Sequence, residues 1–300
     1  MMNSSPVHYL RRPGLGHPTE VWRIDERTAE KAGIEPGQNL FRYEACQGET
    51  AWEAIARYTP WPKESFVPLE RDPGTYHPRI ARPLLLANDL KLWSESGVVE
   101  TTHILGCRAQ LIALVRQLRD ICRTVEPAEK TLGVYGHNIR NLLILSATEV
   151  EMHWRGVLNK NGKSGDRMST KDYVQLAEIM RLREYLVGIR DFPNLQSFKP
   201  FERWGLTGAA TQDLPWYVAY HAVKHDRENE FERGTLGAAI QALVANAIML
   251  VAQFGMAAAF DGELSNFFRF DQTPSWPEGD GYLEAMDGSG WTSVNHPAIV

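Results

Sequence analysis

From residue 102 onward the apolar positions of this chain recur at intervals of three and four, the spacing of one helix face. Leu111, Leu114, Val115, Leu118 and Ile121 predict a helix over 102–125, with Arg108, Arg116, Arg119 and Arg123 on other faces as a solvated surface. Beyond Pro127 a second long helix is predicted over 132–159, apolar round most of its circumference and therefore central in a bundle. A third starts after Ser169, where Ser169 and Asp172 have the spacing of a capping-box variant, and runs through Glu184. Residues 191–213, broken by Pro and Gly, read as a long connection able to form one wall of a pocket. Asp213 stands where an N-cap belongs and Pro215 in the first turn of a helix over 214–231.

The stretch 235–260 has no charged residue and is long enough to span a bilayer. Gln241, Asn246, Gln253, two glycines and many alanines argue instead for a buried core helix, and no membrane association is expected.

Strand-like alternation is scarce. Residues 1–24 read as an irregular arm and 25–35 as a short helix ended by Gly33. Prolines 60, 62, 68, 73, 78 and 83 favour an extended segment there and the best domain boundary, followed by a short helix over 84–94. Residues past 263 read as a short hairpin around 267–270 or a segment draped over the bundle. The fold expected is all-α: an up-and-down bundle of four to five long helices over 101–262, with irregular extensions at 1–100 and 263–300.

Nine Trp, eleven Phe and ten Tyr supply an ample core, and a net charge of −5 confines any nucleic-acid binding to a local patch. Cys46, Cys107 and Cys122, odd in number and without CxxC spacing, read as reduced thiols. The N-terminal residues lack the apolar core of a secretory signal, so a cytoplasmic location is expected. No GxGxxG, P-loop, GxSxG or HExxH motif is present.

Candidate chemistry concentrates in 214–231. Trp216, Tyr220, Val223 and Phe231 share one stripe, and Arg227 falls inside it and needs a partner. His221, His225 and Glu228, spaced four and three, project together. In the 132–159 helix Arg140 and Glu151, three turns apart, fall on the side of Ile144, Ala147 and Leu158, and should meet each other's neighbours or the charges at 224–228. Glu149 and His153 lie on another face.

The run RNLLILSATEVE, the helix WYVAYHAVKHDRENEF and the Ala-rich apolar helix after it resemble a group of uncharacterised bacterial helical-bundle proteins that are similar to the HEPN superfamily. The resemblance covers residues 102–260. It implies a metal-independent ribonuclease or RNA-binding protein of a bacterial stress or phage-defence system, acting as a homodimer without cofactor. His225 matches the catalytic histidine of that family, while the upstream arginine slot is filled by Val218, Ala219, Tyr220 and His221. Catalysis would then fall to His225, Arg227, Lys224 and His221, with Asp226, Glu228, Arg140, Glu149, Glu151 and Tyr220 in support. Two other readings stand beside it. One is a non-catalytic interaction module with a buried ion-pair network of Arg140, Glu151, Asp226 and Arg227. The other is a metal-binding bundle enzyme using His221, His225 and Glu228, joined by Glu149 and His153.

Overall fold

The stretch 1–24, expected as an irregular arm, contains two strands, Val7–Arg11 and Glu20–Ile24. In the computed structural model, which describes residues 7–12, 19–34, 40–85, 100–163, 165, 167–286 and 288–293, they join three further strands up to Pro68 in a five-stranded antiparallel sheet. With two smaller sheets and 47% helix against 15% strand, the architecture is mixed α and β, which overturns the all-α bundle expected from patterning. The strands are three to five residues long, too short for a period of two to stand out.

The chain divides into two compact units. One comprises Met1–Tyr76, Arg82–Trp93 and Trp276–Val294. Its sheet runs in the order β4 (Arg42–Glu44), β3 (Thr28–Lys31), β2 (Glu20–Ile24), β1 (Val7–Arg11), β5 (Phe66–Pro68). The predicted helix over 25–35 is instead a tight turn entering β3. Asp25 accepts hydrogen bonds from the backbone of Arg27 (2.8 Å) and Thr28 (2.6 Å), so the backbone turns where a helix would have to start. Ala29 then enters the core, and Gly33 takes a left-handed φ of 80°. One sheet face buries Trp22, Ile24, Ala29 and Phe66 under α1 (Ala51–Tyr58), which starts with a Thr50/Glu53 capping box. Arg11 lies 3.5 Å over the Trp61 ring and donates to Glu20 at 2.7 Å. Two parallel-paired strands, β6 (Thr75–Tyr76) and β9 (Thr292–Ser293), complete this unit. The predicted helix over 84–94 lies, past Leu85, outside the described residues.

The second unit comprises His77–Ala81, Ser94–Ser275 and Asn295–Val300. Three long helices lead it: α2 (Thr101–Cys122), α3 (His137–Lys160) and α8 (Leu236–Ala259). The apolar α8 is buried along nearly its whole length, packed on α2, α3 and α6 (Pro215–His225), and Thr235 caps its N-terminus through the Ala238 N–H (3.2 Å). The predicted third helix breaks up: α4 (Thr170–Tyr173) and α5 (Leu176–Ile179) are single turns, and Arg181 adopts a left-handed φ of 50° before a 3₁₀ turn at Leu182–Glu184. After α9 (Gly262–Phe267), β8 (Phe268–Gln272) pairs antiparallel with β7 (Leu186–Ile189), so residues 268–272 find a partner 80 residues upstream instead of a local hairpin.

Asn246 and Gln253, two turns apart on α8, would be costly in this core without partners. His153 of α3 supplies them: its Nε2–H donates to Asn246 Oδ1 (3.1 Å), and Gln253 Nε2 donates to its Nδ1 (2.8 Å). Those bonds specify a neutral imidazole, and burial pushes its pKa down to about 4. A histidine depressed in the folded state stabilises the fold above its unfolded pKa, and that stability drains away as pH falls from about 6.5 toward 4. Urea unfolding at about pH 5 should therefore show roughly 2 kcal/mol less stability than at about pH 7, from this group alone. His153→Leu should flatten that slope; an unchanged slope would assign it to other groups.

Candidate functional site

α6 carries four of the site residues predicted from sequence, Tyr220, His221, Lys224 and His225, and its ends are set by side chains around it. Pro215 occupies its first turn. Asp213 does not cap the helix: its carboxylate accepts from the Gly205 N–H (2.9 Å), the Thr207 N–H (3.4 Å) and the Thr207 hydroxyl, tying down the preceding loop. The predicted continuous helix over 214–231 stops at His225. Asp226 leaves the helical region and accepts from the Asn229 N–H (3.2 Å), capping the single turn α7 (Arg227–Glu230). Arg140 of α3 donates through Nε (3.2 Å) and Nη2 (3.0 Å) to the Val223 carbonyl, satisfying an acceptor that the truncated helix leaves open.

This break redistributes the predicted residues. Lys224, His225, Asp226, Arg227 and Glu228 are all exposed, and Arg227 is turned out of the apolar stripe and makes no ion pair with any described residue. Arg140, Glu151, Asp226 and Arg227 are not joined by ion pairs: Arg140 meets a backbone carbonyl, and Glu151 meets tyrosines. Among the described residues, no three His, Cys, Asp or Glu side chains converge as a metal-ligand set, so His221, His225 and Glu228 are not gathered for that purpose. Glu149 and His153 stand apart from α6. Glu149 sits beside Gln110 of α2 with its carboxyl pushed up by burial, and His153 belongs to the core trio with Asn246 and Gln253.

What the fold does assemble is a polar chain along the α3–α6 seam. The Tyr217 hydroxyl donates to Glu151 Oε1, the Tyr220 hydroxyl donates to Oε2 (3.3 Å), and Lys224 Nζ donates to the Tyr220 hydroxyl (2.5 Å). Burial and the Glu151 carboxylate hold the Tyr217 phenol well above its ordinary pKa, so it stays a donor. The hydrogen bond to Tyr220 raises the Lys224 ammonium, which remains charged. His221 rests edge-on against Tyr217 and Tyr220, with ring centroids 4.6 and 5.2 Å apart. Its neighbour His225 is one turn on, 5.6 Å away and nearly parallel. Burial chiefly, with help from the His225 and Lys224 charges, lowers the His221 pKa, while Glu151 opposes that shift. A neutral, half-buried imidazole thus lies next to an exposed imidazole and an ammonium, with the exposed guanidinium of Arg227 just beyond the helix end. The arrangement can accept and return a proton and place positive charge near an anionic substrate.

Sequence reasoning missed Tyr217, the closer of the two partners of Glu151, and Arg155, which lies one turn beyond Glu151 and bonds Tyr173. Tyr217 sits one residue outside the apolar stripe, so only the position of α3 reveals its role. The chain matches no family model, no curated protein and no solved structure.

Tyr217→Phe removes a buried hydroxyl from Glu151 and should cost about 1–2 kcal/mol of unfolding free energy. Arg140→Ala, which uncaps α6, should cost about 1 kcal/mol. Denaturant unfolding measures both, and two unchanged midpoints would mean that neither bond holds α6 to α3.

Proposed function

We propose that this protein is a metal-independent ribonuclease in which His221 and His225 form the acid–base pair and Lys224 and Arg227 receive the phosphate. The observation that carries the reading is the pairing of the half-buried His221 with the exposed His225, 5.6 Å apart beside an ammonium. In this reading neutral His221 takes the proton of a ribose 2′-hydroxyl as its oxygen attacks phosphorus. Lys224 and Arg227 stabilise the negative charge that builds on the phosphoryl oxygens, and His225 acts as the acid that gives a proton to the departing 5′-oxygen. The products are a 2′,3′-cyclic phosphate and a free 5′-hydroxyl. Glu151, through Tyr217 and Tyr220, positions the tyrosine edges against which His221 is held.

The resemblance of residues 102–260 to HEPN proteins, which include metal-independent ribonucleases, supports the same class of reaction and a homodimer. Leu145 and Met152, exposed two turns apart on α3, offer an apolar stripe for such pairing. The free thiols of Cys46, Cys107 and Cys122 fit a reducing cytoplasm. One observation favours a second reading, a non-catalytic interaction module: Lys224, Tyr220, Tyr217 and Glu151 satisfy one another without any ligand.

Purified protein incubated with a mixture of structured and single-stranded RNA, with and without EDTA, separates the two. The ribonuclease reading expects EDTA-resistant cleavage that His221→Ala and His225→Ala each lower by about 10²–10⁴-fold, the range for general acid–base groups. Because the His221 pKa is lowered, the acidic limb of the rate profile should lie below the ordinary histidine range. No cleavage by the wild-type protein would leave the interaction module, and cleavage abolished by EDTA would overturn the metal-independent mechanism.

A further inference from the structure

In a chain whose net charge is −5, contacts to RNA must come from a local patch, and the helical unit carries such a patch at the end of α3. Between 155 and 175 there are five basic side chains, Arg155, Lys160, Lys163, Arg167 and Lys171, against two acidic ones, Asp166 and Asp172. The fold spends part of that charge internally. Lys160 pairs with the buried Glu100 at 2.5 Å and Lys163 with Asp172 at 3.5 Å, while the Asp172 carboxylate also accepts from the Ser169 N–H (2.9 Å). Arg155, Arg167 and Lys171 are left exposed and make no ion pair with any described residue.

This patch joins the α3–α6 seam. Arg155 is one turn past Glu151 and donates to the Tyr173 hydroxyl at the end of α4, two residues from Lys171. Trp154 packs against both Tyr173 and Tyr217, with ring centroids 5.4 and 5.5 Å away. The two helices run antiparallel, since Glu151 meets Tyr217 and Tyr220 while Arg140 meets Val223. Arg155 and the histidine pair therefore stand at opposite ends of the seam, separated by on the order of 15 Å of helix rise. One nucleotide is too short to bridge them, and a strand of a few nucleotides is long enough. Glu151 lies along that path, but both of its oxygens are taken up by tyrosine hydroxyls. In the other direction the chain turns acidic, with Asp226, Glu228, Glu230 and Glu232 against Arg227 and Arg233, so charge directs a strand from the histidines toward Arg155.

From the unpaired cations, their place on the seam and the acidic surface beyond α6, we propose that Arg155, Arg167 and Lys171 bind backbone phosphates of a single RNA strand whose scissile bond lies at His221 and His225. This deepens the ribonuclease reading and rests on it. Contacts of this kind supply affinity and register without reading bases.

Fluorescence anisotropy of the full chain with a labelled 2′-O-methyl oligouridylate about twelve nucleotides long, which lacks the attacking hydroxyl, tests the patch over a series of salt concentrations. R155Q combined with K171Q should weaken binding about tenfold at low salt and flatten the plot of log Kd against log salt by about 1.4, two phosphate contacts at about 0.7 each. R155K combined with K171R keeps the charges and should keep the slope. An unchanged slope in the first pair, equal losses in both pairs, or no binding by the wild-type protein would overturn the proposal. Cleavage of the unmodified oligonucleotide, read in parallel, separates the two claims: cleavage with an unchanged slope sinks the patch alone, and the expected slope change without cleavage keeps the patch as an RNA-binding surface and sinks the ribonuclease reading alone.

Discussion

A helix that is apolar on every side must be enclosed, and α8 imposes that requirement on the whole helical unit. With no charge between 235 and 260, none of its faces suits water, so α2, α3 and α6 all pack against it. Its alanines let those neighbours approach closely, and its two embedded amides make the packing specific. Asn246 and Gln253 both bond the imidazole of His153, Gln253 donating also to the Met249 carbonyl (3.0 Å), and the shared imidazole fixes how far α3 can slide or rotate against α8.

The geometry of the histidine pair follows from this enclosure. α6 presents Trp216, Ala219, Tyr220 and Val223 to the core and turns His221 and His225 toward its outer edge. Because α3 is held by α8, Glu151 arrives at a fixed height along α6, where the hydroxyls of Tyr217 and Tyr220 meet it. The buried phenols keep a carboxylate near His221 without contacting it directly, so the imidazole sees opposing influences from burial and from charge. The helix ends where Arg140 takes up the Val223 carbonyl and Asp226 captures the next N–H groups. That stop leaves Lys224, His225 and Arg227 in solvent.

The sheet-bearing unit obeys a different rule. One face of its short strands is closed by aromatic packing under α1, and Arg11 lies over Trp61 at the margin of that face. The other face combines a small apolar cluster of Leu10, Val21, Leu69 and Leu283 with a row of polar side chains, His8, Arg23, Glu30 and Arg42, set opposite one another across the strands.

Long periodic segments were legible from the sequence because a stripe repeated over five or more turns outweighs local noise: α2, α3 and α8 lie within a few residues of their predicted spans. The N-terminal sheet was not, since strands of three to five residues carry only one or two alternations, and IDERTAEKAGI has helical composition but an Asp25 side chain that claims the backbone N–H groups. Within the candidate site, the residue types and the proximity of His221 to His225 came from i, i+4 spacing alone. The partners of Glu151 and Arg140, the exposure of Arg227 and the pairing of residues 268–272 with 186–189 did not. Local sequence determined where the long helices run and which of their side chains share a turn, because those depend on neighbours within a few residues. Tertiary structure decided which groups are buried, partnered or free, because desolvation and hydrogen bonding between segments far apart in the chain have no local signature.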